Sequence, residues 1–95
     1  MKMYKKVTKV INSTGIHARP ASALTLKAKE FESEITLKRL DKEDAKEISA
    51  KAIMRLMAAA IKQGETVEIA AEGADEQAAV DALVEMFEDG FSERE

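Results

Sequence analysis

The chain has 95 residues, with 15 Lys plus Arg against 18 Asp plus Glu and a net charge of −3. That length suits one domain, spanning residues 1–95, and the mild acidity argues against sequence-independent nucleic-acid binding, which needs a basic face. No cysteine and a single histidine exclude a disulfide scaffold, a thiol nucleophile, a Cys-based zinc site and a multi-His metal centre, so neither metal nor cofactor is expected. No apolar run approaches the ~20 residues of a membrane span. The basic N-terminus is followed by no apolar signal-type stretch, and cytoplasmic residence is the expectation.

Met3 to Ile11 is rich in β-branched residues and reads as a strand. Asn12-Ser13-Thr14-Gly15 is a turn cluster that ends it. From Ala18 the apolar residues Ala21, Leu24, Ala28 and Phe31 recur at helical steps. Pro20 is tolerated only in a first helical turn, which places the helix start close to His17. Glu34 to Leu40 alternates as a strand, Asp41 to Asp44 is a charged connection, and a short strand is expected around Lys46 to Ser49.

Ile53, Leu56, Met57, Ala60 and Ile61 mark a second helix, with Gly64 as its expected C-terminal cap. Thr66 to Ala71 alternates again. Gly73-Ala74-Asp75 reads as a turn and N-cap. Val80, Leu83, Val84 and Phe87 form a third helical stripe, which Gly90 ends, and Ser92 to Glu95 reads as a frayed tail. The order β-α-β-β-α-β-α predicts an α+β, two-layer, open-faced sandwich, its three helices covering one face of a mostly antiparallel sheet.

The stretch Gly15-Ile16-His17-Ala18-Arg19-Pro20-Ala21 is the chemically informative one. His17 at a helix start sits among outward-pointing backbone amides at the positive end of the helix dipole. Such an end binds anions, phosphate above all, and Arg19 adds a permanent cation with several donors. A positive field favours the neutral, nucleophilic imidazole. A neutral imidazole at an anion site is an arrangement able to accept a phosphoryl group. The alternative from local spacing is a surface cap residue with no chemistry.

The same seven residues resemble the phosphorylation-site motif of HPr, the histidine-containing phosphocarrier family of the bacterial sugar phosphotransferase system. Ser33 to Thr36, Ala50 to Met54, Gln63-Gly64 and Ala71 to Gln77 resemble HPr segments in the same order. The resemblance covers almost the whole chain. It implies strand order 1-4-2-3, with the site at one edge of the domain. It implies that Nδ1 of His17 accepts phosphate from phosphorylated enzyme I, originally from phosphoenolpyruvate, and that the group passes to IIA domains of sugar permeases. It also implies that Arg19 neutralises the phosphate, and Ala18, Arg19 and Ser22 are the expected phosphate-binding set. For Ser22, a plain surface hydroxyl is the alternative.

On this reading the protein is a phosphohistidine intermediate rather than a stand-alone catalyst, and a monomer. Ile53, Met54 and Met57 resemble the apolar patch that docks both partners, and methionine suits a surface that must fit several. Met54 lies off the core stripe, whereas Met57 fits core and interface alike. Lys51 and Arg55 either frame the patch with positive charge or form a solvated face.

Two departures stand out. Ala52 occupies the position of the regulatory serine found in many HPr proteins, and Ser49 does not align with it. The connection between Thr36 and Ala50 is longer than usual, around Leu40 to Glu47. A different class, the HPr-like paralogue acting by docking in a nitrogen-related or regulatory branch, keeps the fold without requiring the chemistry. Retention of His17 and Arg19 argues against a pure docking role. An RNA-binding sandwich is rejected, since aromatics make up only 4% of residues and Phe31, Phe87 and Phe91 are expected on helices.

Overall fold

Period-two alternation and period-3.6 stripes divide the chain into two layers. The structure is a computed structural model and describes residues 3–43 and 45–92. Strand β1 (Tyr4–Lys9) leads into helix α1 (Ala18–Ala28), followed by β2 (Glu34–Arg39) and the two-residue β3 (Ile48–Ser49). Helix α2 (Ile53–Ala59), strand β4 (Thr66–Glu72) and helix α3 (Glu76–Glu88) complete the order, and Gly90–Ser92 form a closing 3₁₀ turn.

The sheet runs β1-β4-β2-β3, with every neighbouring pair antiparallel. Val67, Ile69 and Ala71 of β4 and Ile35 and Leu37 of β2 point into the core, where they meet Leu24, Leu56, Val80, Leu83 and Phe87 of the helices. Alternate residues Glu34, Thr36, Lys38 and Glu68 lie on the open face. The fold is therefore the α+β open-faced sandwich expected, with strand order 1-4-2-3.

Carboxylate clamps tie distant segments together, among them Asp75, Glu65 on Arg39, and Asp81 of α3 on Lys6 of β1 at 2.8 Å. Asp75 accepts hydrogen bonds from the amides of Glu32 and Ser33, at 2.9 and 3.0 Å, and from the Ser33 hydroxyl. These bonds, the Ser33 hydroxyl's first, hold its carboxyl below the usual range. Asp75 is the N-cap residue of α3 by position, but its side chain makes no cap bond. Its carboxylate ties the α1–β2 loop to α3 instead. The second clamp is Arg39, which pairs with Glu65 through Nε at 2.7 Å and donates through Nη1 to the Ala59 carbonyl at 2.6 Å.

Several boundaries differ from expectation. Helix α2 stops at Ala59, and Ala60, not Gly64, is its cap, in a left-handed conformation (φ 50°). Arg39 supports this end, because it donates to the Ala59 carbonyl, which the helix leaves without an intrahelical partner by stopping here. Ile61 is buried outside the helix, and Ala60 is exposed. Phe31 lies beyond α1 and packs against the core from a loop, while Phe91 lies in the 3₁₀ turn, edge-on to Phe87 at 4.9 Å. The expected strand at 46–49 shortens to Ile48–Ser49. Asp44 and residues 93–95 of the expected tail lie outside the described residues. No helix among the described residues is long and apolar enough to cross a membrane.

Candidate phosphoryl-acceptor site

His17 is the N-cap residue of α1, with extended backbone (φ −104°, ψ −158°) and no side-chain cap bond. Its carbonyl accepts the first intrahelical bond, from the Ala21 amide at 2.8 Å. The amides of Ala18 and Arg19 therefore precede the first bonded turn, and Pro20 has no N–H to offer. No acidic residue lies in that turn. His17, Ala18 and Arg19 are all exposed, and Ser22, half-buried, follows one turn on along the same face. The arrangement is an exposed imidazole beside a positively polarised helix end, with a guanidinium close in sequence and no acidic residue in the helix's first turn.

Packing sets the position of this end. Ile16, only 2% exposed, anchors the residue before His17 in the core. Its amide donates to the Ile61 carbonyl at 2.8 Å. Gln63 donates through Nε2 to the Ile11 carbonyl at 2.9 Å, and the Gly64 amide donates to the Val10 carbonyl at 2.8 Å. The loop carrying His17 is thus stitched to the loop that follows α2. Gly15 sits at that seam with φ +68°, and a Cβ there would lie 2.5 Å from the Ile61 carbonyl oxygen. Both the conformation and the close approach require glycine.

Inside the turn, Asn12 is buried and donates through Nδ2 to the Gly15 carbonyl at 2.8 Å. Sequence reading treated Asn12 as a turn residue only. The available signal was an asparagine opening a four-residue turn, a position from which its side chain reaches its own backbone.

The second candidate region is α2. Met54 is 74% exposed and Met57 39%, whereas Leu56 is fully buried. The core stripe on this helix is narrower than the sequence suggested, because Ile53 is only half-buried. Arg55 is exposed, but the Lys51 ammonium donates to the Phe31 carbonyl at 2.8 Å and so braces the loop after α1. Ala52 is the N-cap residue of α2 and offers no hydroxyl. Among the described residues no group of three or more His, Cys, Asp or Glu is placed to hold a metal ion.

An open-faced β-sandwich presenting an exposed histidine at a helix N-terminus defines a class of small phosphoryl carriers. A family model described as "PTS HPr component phosphorylation site" matches residues 4–89. The chain is 40% identical over 91 residues to the phosphocarrier protein HPr of Treponema pallidum, covering 96% of this chain and 99% of the relative. It is 42% identical over 85 residues to HPr of Haemophilus influenzae, covering 90% and 95%. It is also similar to the crystal structure of HPr-C-His from Thermoanaerobacter tengcongensis, with TM-score 0.86 and 37% identity over 97% of this chain and 99% of that one. The chain belongs to the HPr family, the phosphocarriers of the phosphotransferase system.

Proposed function

We propose that His17 accepts a phosphoryl group from phosphorylated enzyme I and passes it to IIA domains of sugar permeases. The observation that carries this reading is the exposure of His17 at the N-cap of α1, next to amides that lack helical partners and to Arg19. In the forward step the Nδ1 lone pair attacks phosphorus, and the bond to the donor breaks with its electron pair returning to the donor. The transferring oxygens carry the charge, so catalysis rests mainly on positioning and electrostatic stabilisation. The Ala18 and Arg19 amides and the Arg19 guanidinium meet that charge on the acceptor side, and Ser22 adds a hydroxyl to the set. The partner supplies the remaining machinery, which makes the protein a substrate of two transferases.

Ile53, Met54 and Met57 form the docking patch on α2, with Arg55 at its border. Lys51 contributes through the Phe31 carbonyl, tying the loop after α1 to the residues that lead into α2. The test is incubation with labelled phosphoenolpyruvate and enzyme I, followed by addition of a IIA domain. The wild type should gain a phosphate that is acid-labile and base-stable, and should lose it to the IIA domain. Label that survives acid, or that persists in His17→Ala, contradicts the assignment.

A further inference from the structure

Three hydrogen bonds fix the two residues that precede His17. The Gly15 amide donates to the Asn12 carbonyl at 3.1 Å, the Gly15 carbonyl accepts from Asn12 Nδ2 at 2.8 Å, and the Ile16 amide donates to the Ile61 carbonyl at 2.8 Å. Two of these are backbone bonds that almost any sequence supplies. The third depends on one side chain, and that side chain is 5% exposed inside the turn, with Nδ2 also 3.3 Å from Thr14 Oγ1. We propose that Asn12 is a positioning residue for phosphoryl acceptance, acting through the Gly15–Ile16 peptide to set the direction in which His17 leaves the turn. The inference rests on the assignment of His17 as acceptor.

The physical chain is short. Gly15 has φ +68° and no side chain, so the peptide that follows it is easily rotated once its carbonyl loses its partner. Without Nδ2 that carbonyl is a buried acceptor with nothing to accept from, and rotation toward water relieves the cost. The same rotation swings the Ile16 amide, on the other side of the peptide, away from Ile61. Ile16 stays buried, so the segment does not unfold; it re-aims His17 relative to the Ala18 and Arg19 amides. In-line phosphoryl transfer is sensitive to misplacement of this kind, on the scale of an ångström or less.

The test compares wild type with Asn12→Ala and with Asn12→Leu, which keeps the branching and heavy-atom count but removes the donor. Asp75→Asn serves as a stability control, since it weakens a clamp on a different turn. Initial rates of phosphorylation by enzyme I, taken well below each melting temperature, should show kcat reduced roughly 10- to 100-fold in both Asn12 variants. KM should be unchanged. Asp75→Asn should lower the melting temperature without lowering kcat. The ¹⁵N signals of the His17 ring should shift in the Asn12 variants, while the Met54 and Met57 methyl signals stay in place.

Unchanged kcat in the Asn12 variants would overturn the proposal. So would a rise in KM alone, or failure of both variants to fold, since Asn12 would then hold the structure rather than aim the ring. A wild type that takes up no phosphate would instead overturn the acceptor assignment, and is told apart by appearing before any variant is made.

Discussion

The chemistry proposed for His17 rests on where the backbone puts it. His17 is the extended N-cap residue of α1 and is exposed, while Ile16 before it is buried. Arg19 is a second exposed group, in the helix's first turn, and in the proposed reaction its guanidinium meets a charge that exists only when phosphate is present. Arg19→Ala is therefore expected to leave the melting temperature within a degree or two and to slow phosphorylation roughly 10- to 100-fold, the worth of a charge-assisted hydrogen bond. Initial-rate measurements beside a thermal melt check this. Gly15→Ala tests the seam: a left-handed non-glycine residue costs about 1–3 kcal/mol before the clash with the Ile61 carbonyl is counted. Urea unfolding should show at least that loss. The motif residues were legible from sequence because a helix start, a proline and a histidine constrain one another locally. Asn12 was not, since its partner is a carbonyl whose direction depends on the φ of Gly15.

At the scale of elements, α2 sets a core face beside the face proposed for docking. Leu56 is fully buried and Met54 is 74% exposed, two residues apart on a seven-residue helix. So short a helix has little stability of its own and is held by packing and by Arg39 on its last carbonyl. Leu56→Ala should lose about 2–5 kcal/mol in denaturant unfolding, as a core truncation does. Met54→Ala should stay within about 0.5 kcal/mol of wild type, as an exposed substitution does. Its effect should appear as a raised KM for enzyme I with kcat preserved. The stripe on α2 was read too wide because the period of apolar residues says which face is apolar, not how much of it a neighbour covers. Its end differs because Gly64 is a good cap locally, while the carbonyl left open at Ala59 is met from β2, by Arg39. Long-range partners of that kind leave no mark in a local window.

Across the whole molecule, the order of strands and the faces they bury were legible, because alternation in Ile35-Leu37 and Val67-Ile69-Ala71 admits one register against the helices. The carboxylate clamps were not, since each joins residues far apart in sequence. These clamps set the acid limb of stability. Asp75 is held ionised by the Ser33 hydroxyl and the Glu32 and Ser33 amides. Burial raises the pKa of Glu65, but the Lys62 amide and Arg39 together more than offset that and leave it lowered. Asp81 is lowered first by Lys6, to which it is bonded at 2.8 Å. A carboxylate whose folded pKa is depressed adds stability that is fully present above its unfolded value, roughly pH 4, and is lost as the pH falls through the folded value. Denaturation midpoints should therefore stay level, as far as these groups decide, from about pH 8 to pH 5 and fall below about pH 4. Asp75→Asn should begin lower at neutral pH and lose less on acidification, converging with wild type at the acid end.

The central claim is that one exposed imidazole at the mouth of α1 is the seat of the phosphate. Intact-mass spectrometry after incubation with phosphoenolpyruvate and enzyme I reads it directly. A mass gain of one phosphoryl group on the wild type, and none on His17→Ala, is the predicted result. An unmodified wild type, or an equal gain on His17→Ala, would contradict it.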